Sequence, residues 1–438
     1  MARSSRNLRL AGLVAFAALI SGGAEAAPMA AALERLGKEG IFTGAVVVRN
    51  ADGVRFSAAH GLADPVSGAA FTATTPVDSA SLAKPMTAAA VLSLVVEGRV
   101  RLDAPVRDYV AEYPHADTRV RDLLAHSAGL PDYEPLQPVA GRTNADLLSR
   151  IGELEPAPRF APGSAFSYCN ICYDTLALIA ERVTGRSYVE VLREHAGLPD
   201  GIRPRPVALA DWSGRAVGHR RMADGRSEPA DSGENEAFYG GSNVSVSAAA
   251  LAEWGAAWWS SLAHLRPLAA APVDLPGGRS GLTLGNWYCA ADRRRCHYVG
   301  HHRGFHHMLY WDAEARISVA MVTNNTLAPE WQQRLQRALV AFAADKGEAA
   351  EAELASPIRG AAAAPGTYRT PAGEIVVLEP GEGPVLQLSR AGVTYAVYPV
   401  GEGIGYAPGL DIYVSGASGG GLHLLSLYED SRAEPEVR

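Results

Sequence analysis

Residues 78–88 read Asp78-Ser79-Ala80-Ser81-Leu82-Ala83-Lys84-Pro85-Met86-Thr87-Ala88, and they open an Ala/Leu/Val/Met-rich run that continues to Val96. The run is apolar on most faces, which predicts a buried helix. Gly98 supplies a helix-stop signal. Proline is tolerated early in a helix and not later, so Pro85 places the helix start close to Ser81. Ser81 and Lys84 are then three residues apart and share a face. A helix N-terminus favours developing negative charge. A serine hydroxyl is a weak nucleophile until a neighbour takes its proton, and a partly desolvated lysine can do that. The SxxK spacing arises by chance in most long chains. Its place at a buried helix start gives it weight here.

The surroundings fix the broad class. The chain has 438 residues, 47% hydrophobic and 20% charged, a composition that argues against disorder. The length suggests one large domain and a small one. The formal net charge of −7 makes nucleic acid and anionic membrane poor partners. Arg3, Arg6 and Arg9 precede a short apolar run, Ala11 to Ile20, and then Ala24-Glu25-Ala26. That is the pattern of a cleaved export signal over residues 1–26. The apolar run is too short to span a bilayer comfortably, and no transmembrane anchor is expected after cleavage. A periplasmic or secreted protein is permitted disulfides. Cys289 and Cys296 flank a hairpin-like tip, so a bridge there is plausible. Cys169 and Cys172 form a CxxC whose plain reading is structural pairing or two buried thiols.

Further along, Gly44 to Arg49 and Val54 to Ala59 flank the turn Asn50-Ala51-Asp52-Gly53 and predict a hairpin. The middle is mostly helical, with Asp174 to Val183 and the Trp-bearing stretch Ala248 to Leu262. Strand character returns at Leu282 to Tyr288, Met308 to Trp311 and Ile317 to Thr323. A linker covers residues 346–364. Short β-prone runs then follow to the end, at Glu374 to Leu378, Pro384 to Leu388, Val393 to Val400, Asp411 to Val414 and Leu422 to Leu427, so residues 365–435 predict a small all-β module.

Two more constellations carry chemistry. Tyr168-Cys169-Asn170 follows a turn and precedes a helix. A Tyr phenol there can relay a proton and an Asn amide can hold a carbonyl, although Asn170 is also a plain helix cap. The segment Gly300-His301-His302-Arg303-Gly304-Phe305-His306-His307 holds four histidines. No helix-type ligand spacing accompanies them, so an edge strand beside the serine is favoured over a metal site. No cofactor is expected.

Together the three signals resemble the serine β-lactamase and penicillin-binding-protein superfamily, most of all its class C branch of D,D-carboxypeptidases and related esterases. That family carries SxxK, YxN and a K/H-x-G strand motif. The stretch Asp122-Leu123-Leu124-Ala125-His126-Ser127-Ala128-Gly129-Leu130-Pro131 resembles its LLtHtSGLp segment, and Gly240-Gly241-Ser242-Asn243-Val244 its later glycine pair. The resemblance covers about Gly44 to Ala343. It implies an α+β, β-lactamase/transpeptidase-like fold over residues 27–345: an antiparallel sheet flanked by helices, with a mostly helical middle. Gly366-Thr367-Tyr368-Arg369 matches the opening of the small β domains appended to many members, where a lid, a dimer contact or a polymer-binding surface are open roles.

The resemblance implies Ser81, Lys84 and Tyr168 as catalytic, and Asn170, His302, Gly304 and Phe305 as substrate-binding. It implies structure rather than catalysis for His126. The family pattern HxGGxxGF reads as shortened here. Either His302-Arg303-Gly304 is the strand motif, with the Phe305 N–H as an oxyanion donor, or His301 is the family histidine and a deletion precedes Gly304-Phe305. His302 is preferred. The implied substrate is a small molecule or peptide with an amide or ester carbonyl. A non-catalytic cell-wall-binding or scaffolding protein is the alternative.

Overall fold

The computed structural model describes residues 17–19, 26–130, 144–145, 159–204, 211–221, 227–230, 239–276, 281–302, 304–325, 327, 329–355, 362–371, 373–390, 393–401, 403–407, 412–425 and 430–435. Its centre is one antiparallel sheet. In chain order the sheet and its helices are β1 (Ala17–Leu19), α1 (Ala26–Lys38), β2 (Gly44–Asn50), β3 (Gly53–His60), α2 (Ala83–Val96), α3 (Asn170–Thr184), α4 (Ala248–Ala257), β4 (Tyr288–Cys289), β5 (Arg295–His302), β6 (Phe305–Asp312), β7 (Ile317–Thr323) and α5 (Pro329–Ala343). The strands lie in the order β1-β3-β2-β7-β6-β5-β4. The first and last parts of the domain therefore meet at its centre, where β2 pairs with β7 from Gly44↔Thr323 to Arg49↔Ser318.

Strand alternation explains the layers. Val46 and Val48 of β2 face one cluster with Phe56, Met308, Met321 and the α1 and α5 residues Leu33, Leu339 and Phe342. Ala45 and Val47 face the other, with Leu309, Trp311 and the helical middle. Trp258 stacks on Trp311 at 5.5 Å, which ties the α4 region to the sheet. The sheet with helices on both faces is the α+β β-lactamase-type fold that the resemblance implies.

The helix after Ser81 has no polar face. Its residues from Ala83 to Leu92 are all buried, Lys84 included. It is entered through a 3-10 turn, Ala80–Leu82. The strand expected over Leu282 to Tyr288 is confined to the two residues of β4, because Leu282 and Thr283 make only bridges or turn bonds with the segments around them. Helix α4 ends at Ala257, short of the expected Leu262; Trp258 and Trp259 bond back to Gly255 and Ala256 in tight turns.

Beyond the domain, eight strands from Gly366 to Pro435 close into a barrel. Its core is its own: Tyr368, Val376, Leu378, Leu388, Val397, Ile412, Val414, Leu422 and Leu424 among others. No helix among the described residues is long and apolar enough to cross a membrane.

Candidate active site

Ser81 sits on a tightly braced turn. Ala80 has φ +47°, a left-handed conformation that a Cβ-bearing residue holds only under constraint. The constraints are local. Asp78 Oδ1 accepts from the Ala80 N–H at 2.9 Å, and Ser79 N donates to Val244 O at 2.8 Å. His307 reaches across from β6, and its Nε2–H donates to Asp78 O at 2.7 Å. Its Nδ1 accepts from Thr323 N at 3.3 Å, which assigns the proton to Nε2. Burial pushes the His307 imidazole down to about 4, so it is neutral at pH 7.

Three groups meet at the Ser81 hydroxyl. Tyr168 Oη lies 2.8 Å from Ser81 Oγ. Lys84 Nζ donates to Ser81 Oγ at 3.2 Å, to Asn170 Oδ1 at 2.6 Å and to Gly241 O at 2.9 Å. An ammonium has three N–H bonds, and these three acceptors match them. Burying a charge is costly unless it is met in this way. The Lys84 ammonium also lies 4.9 Å from the centre of the Tyr168 ring.

The glycine pair delivers the third acceptor. Gly240 has φ +125°, and a Cβ there would stand 2.2 Å from Tyr173 O, so only glycine lets the chain press onto α3. Gly241 N donates to Asp174 Oδ1 at 2.9 Å. Asp174 lies one helical turn beyond Asn170, so α3 grips Lys84 twice: directly through Asn170 and through Gly241.

The strand beside Ser81 is β5, and here the structure corrects the sequence reading. Gly304 has φ +91° at the β5–β6 turn, and a Cβ on it would strike His219 N at 2.4 Å. It packs on the 218–219 segment and not on Ser81. Phe305 is buried and pairs with His302 as the first residue of β6. The side chain of His302, and Arg303 entirely, lie outside the described residues. The residue against Ser81 is Gly300. A Cβ on it would stand 2.8 Å from Ser79 O, 3.1 Å from Leu82 N and 3.3 Å from Ser81 N. The stretch of β5 that meets the Ser81 turn is therefore Tyr298-Val299-Gly300. Counted from there, Tyr298-Val299-Gly300-His301-His302-Arg303-Gly304-Phe305 has the spacing of HxGGxxGF without a deletion.

Reading by side-chain type missed Tyr298, because the family position calls for Lys or His. The spacing of Gly300 to Gly304-Phe305 was the available signal. Tyr298 is buried and stacks on Tyr288 at 5.5 Å. Burial, then the neighbouring Tyr168, holds its phenol well above the ordinary range, so it stays a neutral hydroxyl. Both cysteine pairs are bridged, Cys169 to Cys172 and Cys289 to Cys296. The first lies inside the YxN loop. No group of three or more metal-ligating side chains occurs among the described residues.

This fold, with a serine, a lysine and a tyrosine converging on one oxygen, defines a class: the serine hydrolases that carry out acyl transfer. The chain belongs to the Beta-lactamase family, whose profile matches residues 26–343. It is similar to a D-aminopeptidase of Brucella anthropi, 33% identical over 169 residues, which are 36% of this chain and 32% of that protein. It is similar to the esterase EstB of Burkholderia gladioli, 32% identical over 204 residues, 42% of this chain and 51% of that protein. These matches span about a third to a half of the relatives' lengths. Among solved structures, an octameric penicillin-binding protein homologue from Pyrococcus abyssi aligns with TM-score 0.64 at 19% identity, over 93% of this chain and 99% of that one. SurE aligns with TM-score 0.64 at 22% identity, over 94% and 99%. At these identities the structural matches show the fold.

Proposed function

We propose that the chain is an exported hydrolase that forms an acyl-enzyme on Ser81 with an amide or ester substrate. The observation that carries this reading is the meeting of Tyr168 and Lys84 at Ser81 Oγ. Ser81 Oγ adds to the substrate carbonyl carbon. Tyr168 takes the Ser81 proton as it gives its own to the departing nitrogen or oxygen. Lys84 keeps its charge beside the developing alkoxide, and Asn170 orients Lys84. The Ser81 and His301 backbone N–H groups hold the oxyanion; His301, the residue after Gly300, takes the role that the sequence reading gave to Phe305. Water then attacks the acyl-enzyme by the reverse route and frees the acid. The D-aminopeptidase and esterase activities named for the relatives both split a carbonyl from nitrogen or oxygen, which suits this scheme.

Export rests on the sequence pattern of residues 1–26, with the mature chain starting near Ala27; cleavage there removes the edge strand β1 and leaves the sheet β3-β2-β7-β6-β5-β4, and two disulfides in one domain suit an oxidising compartment. The N-terminal sequence of protein recovered outside the cytoplasm tests the cleavage site.

Fluorophosphonate labelling tests the chemistry. The expected result is one adduct on Ser81, lost in Ser81→Ala. Labelling that persists in Ser81→Ala refutes the nucleophile. Turnover of p-nitrophenyl acetate, a D-amino-acid p-nitroanilide and nitrocefin then ranks esters, amides and lactams.

A further inference from the structure

His126 is buried, has φ +55°, and belongs to neither the nucleophile turn nor the oxyanion strand. It nevertheless touches three consecutive residues around Tyr168. Its carbonyl accepts from Ser167 N at 2.8 Å. Its ring stacks on Tyr168, centroids 4.7 Å apart and planes 20° apart. Its Nδ1 accepts from Cys169 N at 3.0 Å. Because Nδ1 accepts, the ring proton is on Nε2, and Nε2–H donates to Asn286 Oδ1 at 3.1 Å. Asn286 is itself fully buried and left-handed, with φ +57°. A phenylalanine would stack but accept nothing. An asparagine would accept but not stack. Only a neutral imidazole in this tautomer does both.

We infer that His126, oriented by Asn286, is a positioning residue that holds the Tyr168 hydroxyl at Ser81. The inference rests on the proposed role of Tyr168 in proton transfer. It assigns no proton transfer to His126. It says that without the imidazole the 167–169 backbone relaxes and Tyr168 serves the leaving group badly.

A leaving-group comparison tests it. Tyr168 takes the Ser81 proton with either substrate, and nitroanilide release needs in addition a proton delivered to nitrogen, which p-nitrophenolate release does not. His126→Ala should therefore lower kcat on a D-amino-acid p-nitroanilide about 30- to 100-fold and on p-nitrophenyl acetate only about 3- to 10-fold, with KM nearly unchanged on both. His126→Asn tolerates the left-handed backbone and can still accept from Cys169 N, so it should recover part of the loss. Asn286→Gly also tolerates its backbone and removes only the acceptor of Nε2–H. It should show the same selective loss, smaller in size, and it serves if His126→Ala fails to fold. Equal losses on both substrates, or no loss in folded variants, overturn the inference while leaving Ser81 labelling intact. A wild-type protein that fluorophosphonate does not label removes the underlying reading, and this inference with it.

Discussion

Gly300 lies so close to Ser81 that one added methyl would stand 3.3 Å from the Ser81 backbone nitrogen. The same methyl would stand 2.8 Å from Ser79 O, closer than real Cβ contacts. The strand can approach Ser81 only because this residue has no side chain. Gly300→Ala should therefore push the strand back and open the oxyanion site. The expected loss in kcat is on the order of 10²- to 10³-fold, the size seen when one oxyanion donor is removed. Rates of p-nitrophenyl acetate turnover and of fluorophosphonate labelling should fall together. A variant with normal rates would show that the strand does not form the oxyanion wall.

Lys84→Ala removes the charge and leaves Asn170 Oδ1 and Gly241 O without the donor they share. Activity should fall at least about a thousandfold, as for other members of a unit acting on one nucleophile. Lys84→Arg should fare little better, because a planar fork cannot meet three converging acceptors as an ammonium does. Steady-state kinetics on the ester checks both. Retained turnover in Lys84→Ala would mean that Tyr168 alone activates Ser81.

Acid should destabilise the protein through its buried histidines. His307 is held down to about 4 by burial, against 6.5 in an unfolded chain. Between those values the unfolded state binds a proton that the folded state refuses. Stability from this group is complete above about pH 6.5 and is lost as pH falls toward 4, by about 3 kcal/mol in all. His306, also buried, is lowered in the same direction. Urea midpoints at pH 7.5, 6 and 5 check this, with His307→Gln as the comparison. A wild type as acid-tolerant as the variant would contradict it.

The Cys169–Cys172 bridge ties the residue between Tyr168 and Asn170 to the first turn of α3. A ring this small contributes only about 2 kcal/mol by chain entropy. Its larger effect should be on rate. Replacing both residues by serine should lower kcat several-fold more than replacing Cys289 and Cys296. Thermal melts should separate the two pairs far less than kinetics does. Equal kcat in the two double variants would make the first bridge an ordinary staple.

The parts of the site that a sequence exposes are those set by local spacing. Ser81 and Lys84 share a helical face whatever the rest of the chain does, and Tyr168 and Asn170 flank a helix start, so all four were readable. The wall opposite was not. Its place depends on the register of β5 beside the nucleophile, and its defining residue is a glycine. The run of histidines drew attention to His302 by chemistry, while Gly300 decided the geometry by lacking any. His126 was readable as structural, but its grip on Tyr168 needed the loop's path. The terminal module showed its β character through Gly-rich turns; closure into eight strands depends on non-local pairing that short runs do not reveal.

The pairing of β2 with β7 has a consequence for when the enzyme comes into being. More than two hundred and fifty residues separate the two strands, and Ser81, Tyr168 and Gly300 all lie between them. Contacts this remote in sequence form slowly. A nascent chain holds no working fragment, because its central sheet waits for a strand made near the end of the domain.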